Sequence, residues 1–192
     1  MAVEFELKYR ASEQAFSQLQ ALYAPILSPI EMETTYYDTP SGALSQLHYT
    51  LRQRRENGVS VCTLKTPAPF GRNEWEVQSE DIFHAVPMLC KLERSDTLSR
   101  LTAEGISSIC GAKFTRFAGT LDLTGAVVEL ALDKGVLIAG EKELPFLEAE
   151  VELKSGESPL AIAFARSLAR QYGLTEEPLS KFRRAFLLRG DT

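Results

Sequence analysis

Charged and apolar residues alternate in run after run of this chain, and that period of two constrains its fold more than any other feature. Residues 4–10, EFELKYR, place Phe5, Leu7 and Tyr9 on one side and Glu4, Glu6, Lys8 and Arg10 on the other. The same spacing recurs in YTLRQRRE (49–56), VSVCTLKT (59–66), RNEWEVQS (72–79) and FLEAEVELK (146–154). Asn57-Gly58 between two such runs is a hairpin signal. Pro40-Ser41-Gly42 and Ser155-Gly156 end others. With further strands expected at 31–39, 113–122, 125–133 and 134–140, the chain reads as about eight strands. They are joined mainly by turns, so antiparallel pairing is expected, each strand having one apolar and one charged face.

Three segments break the alternation and read as helices. Residues 12–24 carry Ser12 as a cap and a stripe of Ala15, Phe16, Leu19, Leu22 and Tyr23, stopped by Pro25. Residues 81–104 are mostly helical, with Pro87 expected near a helix start. Residues 159–172 have Pro159 in the first turn and Gly173 just past the end. A short segment from Ser180 to Leu188 closes the chain. The fold class is therefore α+β. At 192 residues, 44% of them apolar, the chain suits a single domain over 1–192 with a real core.

Composition removes several function classes. A formal net charge of −5 leaves no broad basic surface for nucleic acid. No apolar run approaches the roughly 18 residues that span a bilayer, and the acidic start MAVEFELK does not read as a signal peptide. Cys62, Cys90 and Cys110 are odd in number and widely spaced, which reads as reduced thiols in a cytoplasm. With only two histidines, His48 and His84, a His-based triad or a His-rich metal site is hard to build, and both read as surface or loop residues. Trp75 is expected to pack under a helix.

The charged faces carry the chemistry. Parity groups Arg52 with Arg54, Thr63 with Lys65, and Arg72 with Glu74 and Glu76. It also groups Glu129 with Asp133, and Glu148 with Glu150 and Glu152, while Arg116 lies on the strand at 113–122. Like charges side by side repel, so such rows call for counter-ions or ligands. Clustered carboxylates without thiolate or imidazole suit a hard divalent cation, Mg²⁺ or Mn²⁺. Clustered Arg and Lys suit phosphate. A closed barrel lined with both would hold metal on one side and polyphosphate on the other. The first strand would straddle the boundary, Glu4 and Glu6 toward metal, Lys8 and Arg10 toward phosphate.

In order along the chain, EFELK, YYDT (36–39), LRQR (51–54), TLK (63–65), RNEWEV (72–77), ALDKG (131–135), LEAEVELKSG (147–156) and LSKFRRAF (179–186) resemble the motifs of the CYTH family, the triphosphate tunnel metalloenzymes. The likeness is greatest to the bacterial inorganic triphosphatase branch. The resemblance implies a closed, eight-stranded antiparallel β-barrel with helices packed outside, and metal-dependent cleavage of triphosphates. It implies metal ligation by Glu4, Glu6, Glu150 and Glu152, with Glu148, and triphosphate binding by Lys8, Arg52, Arg54, Lys65, Arg72 and Arg116. Lys181 and Arg184 would assist from the C-terminal segment. Family tails often end in a tyrosine where this chain has Phe186, so no hydroxyl role transfers there.

The expected reaction is hydrolysis of inorganic triphosphate to pyrophosphate and phosphate, with nucleoside triphosphates as possible further substrates. Tyr36 is a candidate proton acceptor if its hydroxyl meets a deprotonated Lys8; metal-bound hydroxide or a carboxylate such as Glu150 are the others. Rival readings are a class IV adenylate cyclase, a thiamine triphosphatase and a non-catalytic polyphosphate- or nucleotide-binding module. The row of glutamates weighs against the last, since an anion binder gains nothing from it.

Overall fold

The computed structural model describes residues 5–69 and 72–190. Nine strands form one sheet: β1 (Phe5–Arg10), β2 (Ser28–Asp38), β3 (Thr50–Glu56), β4 (Val59–Pro67), β5 (Arg72–Gln78), β6 (Ser107–Asp122), β7 (Ala126–Ala139), β8 (Lys142–Gly156) and β9 (Thr175–Glu176). Their order is β5-β4-β3-β2-β6-β7-β8-β1-β9. The expected closed, eight-stranded barrel is therefore corrected to an open nine-stranded sheet, because end strands β5 and β9 are not neighbours in it. Alternation decides which face a side chain takes, but it carries no information about whether end strands meet. The outer edge of β1 is taken instead by the two residues of β9, through Tyr9↔Glu176 and Arg10↔Thr175.

Element boundaries also move: β6 begins at Ser107 and β8 at Lys142, ahead of the expected 113 and 146. Residues 134–139 are the second half of β7 rather than a separate strand. Gly135 keeps an ordinary negative φ, so nothing turns the chain there. Pro87 lies inside helix α3 (Ile82–Glu93), not at its start, which Asp81 caps by accepting from the Phe83 amide at 2.8 Å. The Asn57-Gly58 hairpin forms as expected, with φ of 48° and 88°.

The chain divides into two compact units. The first comprises residues up to Ile30, Phe114–Val136 and Leu144–Ser180. Here the apolar faces of β1, β7 and β8 (Tyr9, Val128, Leu130, Leu132, Ala149, Val151) pack with helices α1 (Glu13–Tyr23) and α5 (Ser158–Tyr172). Helix α1 contributes Ala15, Phe16 and Leu19, and α5 contributes Ala161, Ala165 and Leu168. Each large apolar side chain so buried is worth about 1.5–3 kcal/mol. Ser12 caps α1 by accepting from the Ala15 amide at 3.1 Å. Gly173, at φ 63°, ends α5. Leu22 was expected in the buried stripe of α1 but is 56% exposed.

The second unit comprises Glu31–Lys113, Leu137–Glu143 and the residues from Lys181 on. The apolar faces of β3 and β4 (Leu51, Cys62, Leu64) pack with Ile82, Ala85 and Leu89 of α3, Leu98 of α4 (Thr97–Leu101) and Leu44 of α2 (Ala43–Gln46). Trp75 packs partly buried against this cluster, as expected. Helix α6 (Lys181–Leu188) is the last element of the described residues.

Candidate active site

In the first unit, the β1–β8 ladder sets Glu6 opposite Glu152, Lys8 opposite Glu150 and Arg10 opposite Glu148. Directly opposed residues share a face, so these six side chains lie together on the side away from Tyr9, Ala149 and Val151. Strand β7 adds Glu129 and Asp133 by the same alternation. Asp133 and Glu148 are fully buried and Glu150 is 7% exposed. One carboxylate oxygen from each of the three lies within 4.8 Å of the others. Three buried carboxylates with oxygen donors alone fit a hard divalent cation.

The cluster also has a cation of its own. Arg116 on β6 donates through Nε and one terminal nitrogen to the two oxygens of Asp133, each at 2.8 Å, and to Glu150 at 2.5 Å. Burial opposes the Arg116 charge, but the hydrogen bond to Asp133 and the fields of Glu150, Asp133 and Glu129 outweigh it and raise its pKa. Sequence reasoning placed Arg116 with the phosphate-binding residues; the structure pairs it with Asp133 and Glu150.

Glu152 and Glu129 share a second cation, Lys154, at 2.8 and 3.4 Å. Burial opposes its charge too, yet hydrogen bonding to Glu152 and the field of Glu129 raise its pKa. Lys154 was not singled out from the sequence, although the signal was there: it is the next residue of the same parity after Glu148, Glu150 and Glu152. Asp133, which parity grouped with Glu129, belongs to the three-carboxylate cluster. Glu6 is exposed, and Glu4 lies outside the described residues. Arg10 donates to the buried Glu177 at 2.5 Å, a partner that no sequence spacing reveals.

In the second unit the charged face is mainly basic. The ladders place Tyr36 opposite Arg52, Thr34 opposite Arg54, Thr50 opposite Lys65, and Lys65 opposite Glu74. Glu74 is shared by Lys65 at 3.0 Å and Arg52 at 3.6 Å. Arg54 pairs with Glu56 at 2.7 Å, and Glu76 accepts from the Thr63 hydroxyl at 3.0 Å. Arg72 donates to the Thr50 hydroxyl at 3.3 Å. The Nε of Arg52 is buried with no acceptor among the described residues.

Tyr36 is buried against Phe182 of α6. Burial raises its pKa, against the lowering fields of Arg52, Lys181 and Arg54. The phenol thus keeps its proton at neutral pH and can donate a hydrogen bond. Lys181 and Arg184 both lie on α6. The thiols of Cys62 and Cys110 are pushed up to about 11 and about 12, chiefly by burial, so neither is a thiolate nucleophile at neutral pH.

Comparison with known proteins assigns the family. The profile of the CYTH domain family matches residues 2–186. The chain is 28% identical over 197 aligned residues to the inorganic triphosphatase of Haemophilus influenzae, covering 98% of this chain and 55% of that protein. It is 37% identical over 81 residues to a Bacillus subtilis protein named as a triphosphatase, YjbK, covering 42% of this chain and 43% of that one. The chain thus spans about half the length of the curated relatives it matches. Among solved structures, Hippeastrum HpAC1, described as an adenylyl cyclase with a dominant triphosphatase activity, superposes with a TM-score of 0.66 at 21% identity, covering 96% of this chain and 95% of that one. A Bacillus halodurans protein described as an adenylate cyclase gives 0.61 at 17%, covering 95% and 96%. These two likenesses speak to the fold alone. Among the described residues no helix is long and apolar enough to cross a membrane.

Proposed function

We propose that this chain, which belongs to the CYTH domain family, is a triphosphatase that hydrolyses inorganic triphosphate to pyrophosphate and phosphate with a divalent cation, Mg²⁺ or Mn²⁺. The observation that carries this reading is the buried cluster of Asp133, Glu148 and Glu150, with carboxylate oxygens within 4.8 Å of one another. The names of the Haemophilus influenzae and Bacillus subtilis relatives support it.

Asp133, Glu148 and Glu150 would hold the cation, with Glu4, Glu6 and Glu152 as further carboxylates. Such a cation neutralises phosphate charge and polarises a phosphoryl oxygen. Everything else falls to side chains that bind and orient. Arg52, Arg54 and Lys65 on the strands, and Lys181 and Arg184 on α6, would receive phosphate oxygens, with Arg72 and Lys8 in support. Arg52 has a buried Nε–H to give. Tyr36, protonated, donates to a phosphate oxygen. Arg116 acts on the carboxylates: its bidentate hold on Asp133 fixes that group, and its contact with Glu150 limits repulsion within the cluster. For phosphoryl transfer such positioning and charge stabilisation are most of the catalytic task. The reading places the enzyme in the cytoplasm, with Cys62, Cys90 and Cys110 as thiols and no role in nucleic-acid binding.

The test is turnover of tripolyphosphate, pyrophosphate, ATP and thiamine triphosphate, each with Mg²⁺, with Mn²⁺ and in excess EDTA. Tripolyphosphate should give the highest kcat/KM, because the basic residues outnumber what two phosphates need. Full turnover in EDTA would sink the reading. Cyclic AMP as the main product from ATP would replace it with a cyclase.

A further inference from the structure

Helix α6 brings two rings as well as two candidate phosphate-binding cations. The Phe182 ring lies 4.9 Å from that of Tyr36, centroid to centroid, at 48°. One turn on, Phe186 lies 5.8 Å from Phe182 at 53°. The guanidinium carbons of Arg183 and Arg189 sit 5.8 and 5.4 Å over Phe186. The three rings thus form a continuous run from β2 along α6, and only Phe182 touches Tyr36 in the ring contacts of this run.

Tyr36 stands where this contact has consequences. It is 6% exposed, it faces Arg52 across the β2–β3 ladder, and the charges of Arg52, Lys181 and Arg54 all act on its hydroxyl. A phenol ring held only by strand packing could still tilt about its side-chain bonds. A second ring at stacking distance removes that freedom before any ligand arrives. Lys181, the residue beside Phe182, is carried by the same docking of α6.

We propose that Phe182 is a positioning residue for anion binding: by packing on Tyr36 it fixes the Tyr36 hydroxyl and the Lys181 ammonium in one arrangement with Arg52. This rests on the triphosphatase reading for the identity of the anion, tripolyphosphate. Phe182 itself touches no phosphate. It sets affinity by removing the need to order Tyr36 and α6 when the anion binds.

The experiment compares wild type with Phe182→Leu, Phe182→Tyr and Phe186→Leu. Tripolyphosphate binding is measured by calorimetry in EDTA, kinetics with Mg²⁺, and thermal melting alongside. Phe182→Leu is expected to raise Kd and KM about three- to tenfold, the range an aromatic pair supplies, with kcat changed less than about twofold. Phe182→Tyr keeps the ring and should return Kd to within about twofold of wild type. Phe186→Leu loses a comparable ring, and with it melting temperature, but should leave Kd near wild type.

A Phe182→Leu protein with wild-type Kd overturns the proposal, whatever its melting temperature. Equal Kd losses in Phe182→Leu and Phe186→Leu also overturn it, since that is what general loosening of α6 would give. If Phe182→Leu does not fold, Phe182→Met keeps the volume without the ring and is held to the same Kd criterion. Wild type that binds tripolyphosphate without hydrolysing it refutes the triphosphatase reading alone, and the Kd comparison still decides on Phe182. Wild type that does not bind tripolyphosphate overturns both.

Discussion

The carboxylates of the first unit and the guanidinium and ammonium groups of the second stand on the same strand alternation, yet the fold treats them differently. Asp133 and Glu148 are fully buried and Glu150 nearly so, and Arg116 lies among them. Arg52, Arg54 and Lys65 keep 15%, 26% and 20% of their side chains exposed. A short carboxylate on a buried face cannot reach water, so it must be neutralised where it stands. Long basic side chains bury their stems and keep their heads near solvent. The acidic face therefore carries a buried cluster with an internal cation, while the basic face is held by shared, partly exposed partners such as Glu74.

The largest effect should come from the acidic cluster. Glu150→Gln keeps shape and removes charge, and it should lower kcat for tripolyphosphate on the order of 10²-fold. Its melting temperature in EDTA should stay within a few degrees of wild type, because the loss of the Arg116 contact is offset by relief of repulsion with Glu148 and Glu152. A fully active Glu150→Gln would erase the contrast between the halves and remove Glu150 from the metal-binding set.

Next comes Arg116→Gln, which removes the guanidinium that Asp133 and Glu150 share. Breaking a buried pair from one side costs about 3–5 kcal/mol, so chemical denaturation in EDTA should show a large loss of stability. Mn²⁺ should recover more of that loss in the variant than it adds to wild type. Equal effects of Mn²⁺ on the two proteins would show that Arg116 is not standing in for cationic charge at the cluster.

On the basic face the expected effect is smaller and of another kind. Arg52→Met should raise KM for tripolyphosphate about tenfold, a loss of the size expected for a hydrogen bond to a charged group, with kcat little changed. A fall in kcat without a change in KM would place Arg52 with the catalytic set instead.

The smallest effect on turnover should come from Val151→Ala, on the opposite face of the same strand as Glu150. Val151 is 1% exposed, and the truncation should cost roughly 1–3 kcal/mol while leaving kcat within a few-fold of wild type. Loss of turnover without loss of stability would mean that the strand's two faces have been exchanged.

Parity made much of this legible in the residues themselves. The spacing of Leu147, Ala149, Val151 and Leu153 against Glu148, Glu150 and Glu152 assigns both faces of β8, because a period of two leaves no other choice in a pleated strand. Ser12, Asn57-Gly58 and Gly173 likewise mark local turns and caps with local chemistry. What parity could not supply was anything that depends on which strands become neighbours. The meeting of Asp133 with Glu148, the capture of Arg116 by carboxylates, the pairing of Arg10 with Glu177 and the packing of Phe182 on Tyr36 all join residues far apart in the chain. So does the open edge of the sheet, where β9 covers β1. Alternation along a strand is set by bond geometry within a few residues, and the sequence by itself determined it. Partners across strands are chosen by the total burial and charge balance of the folded chain, and only the tertiary structure decided those.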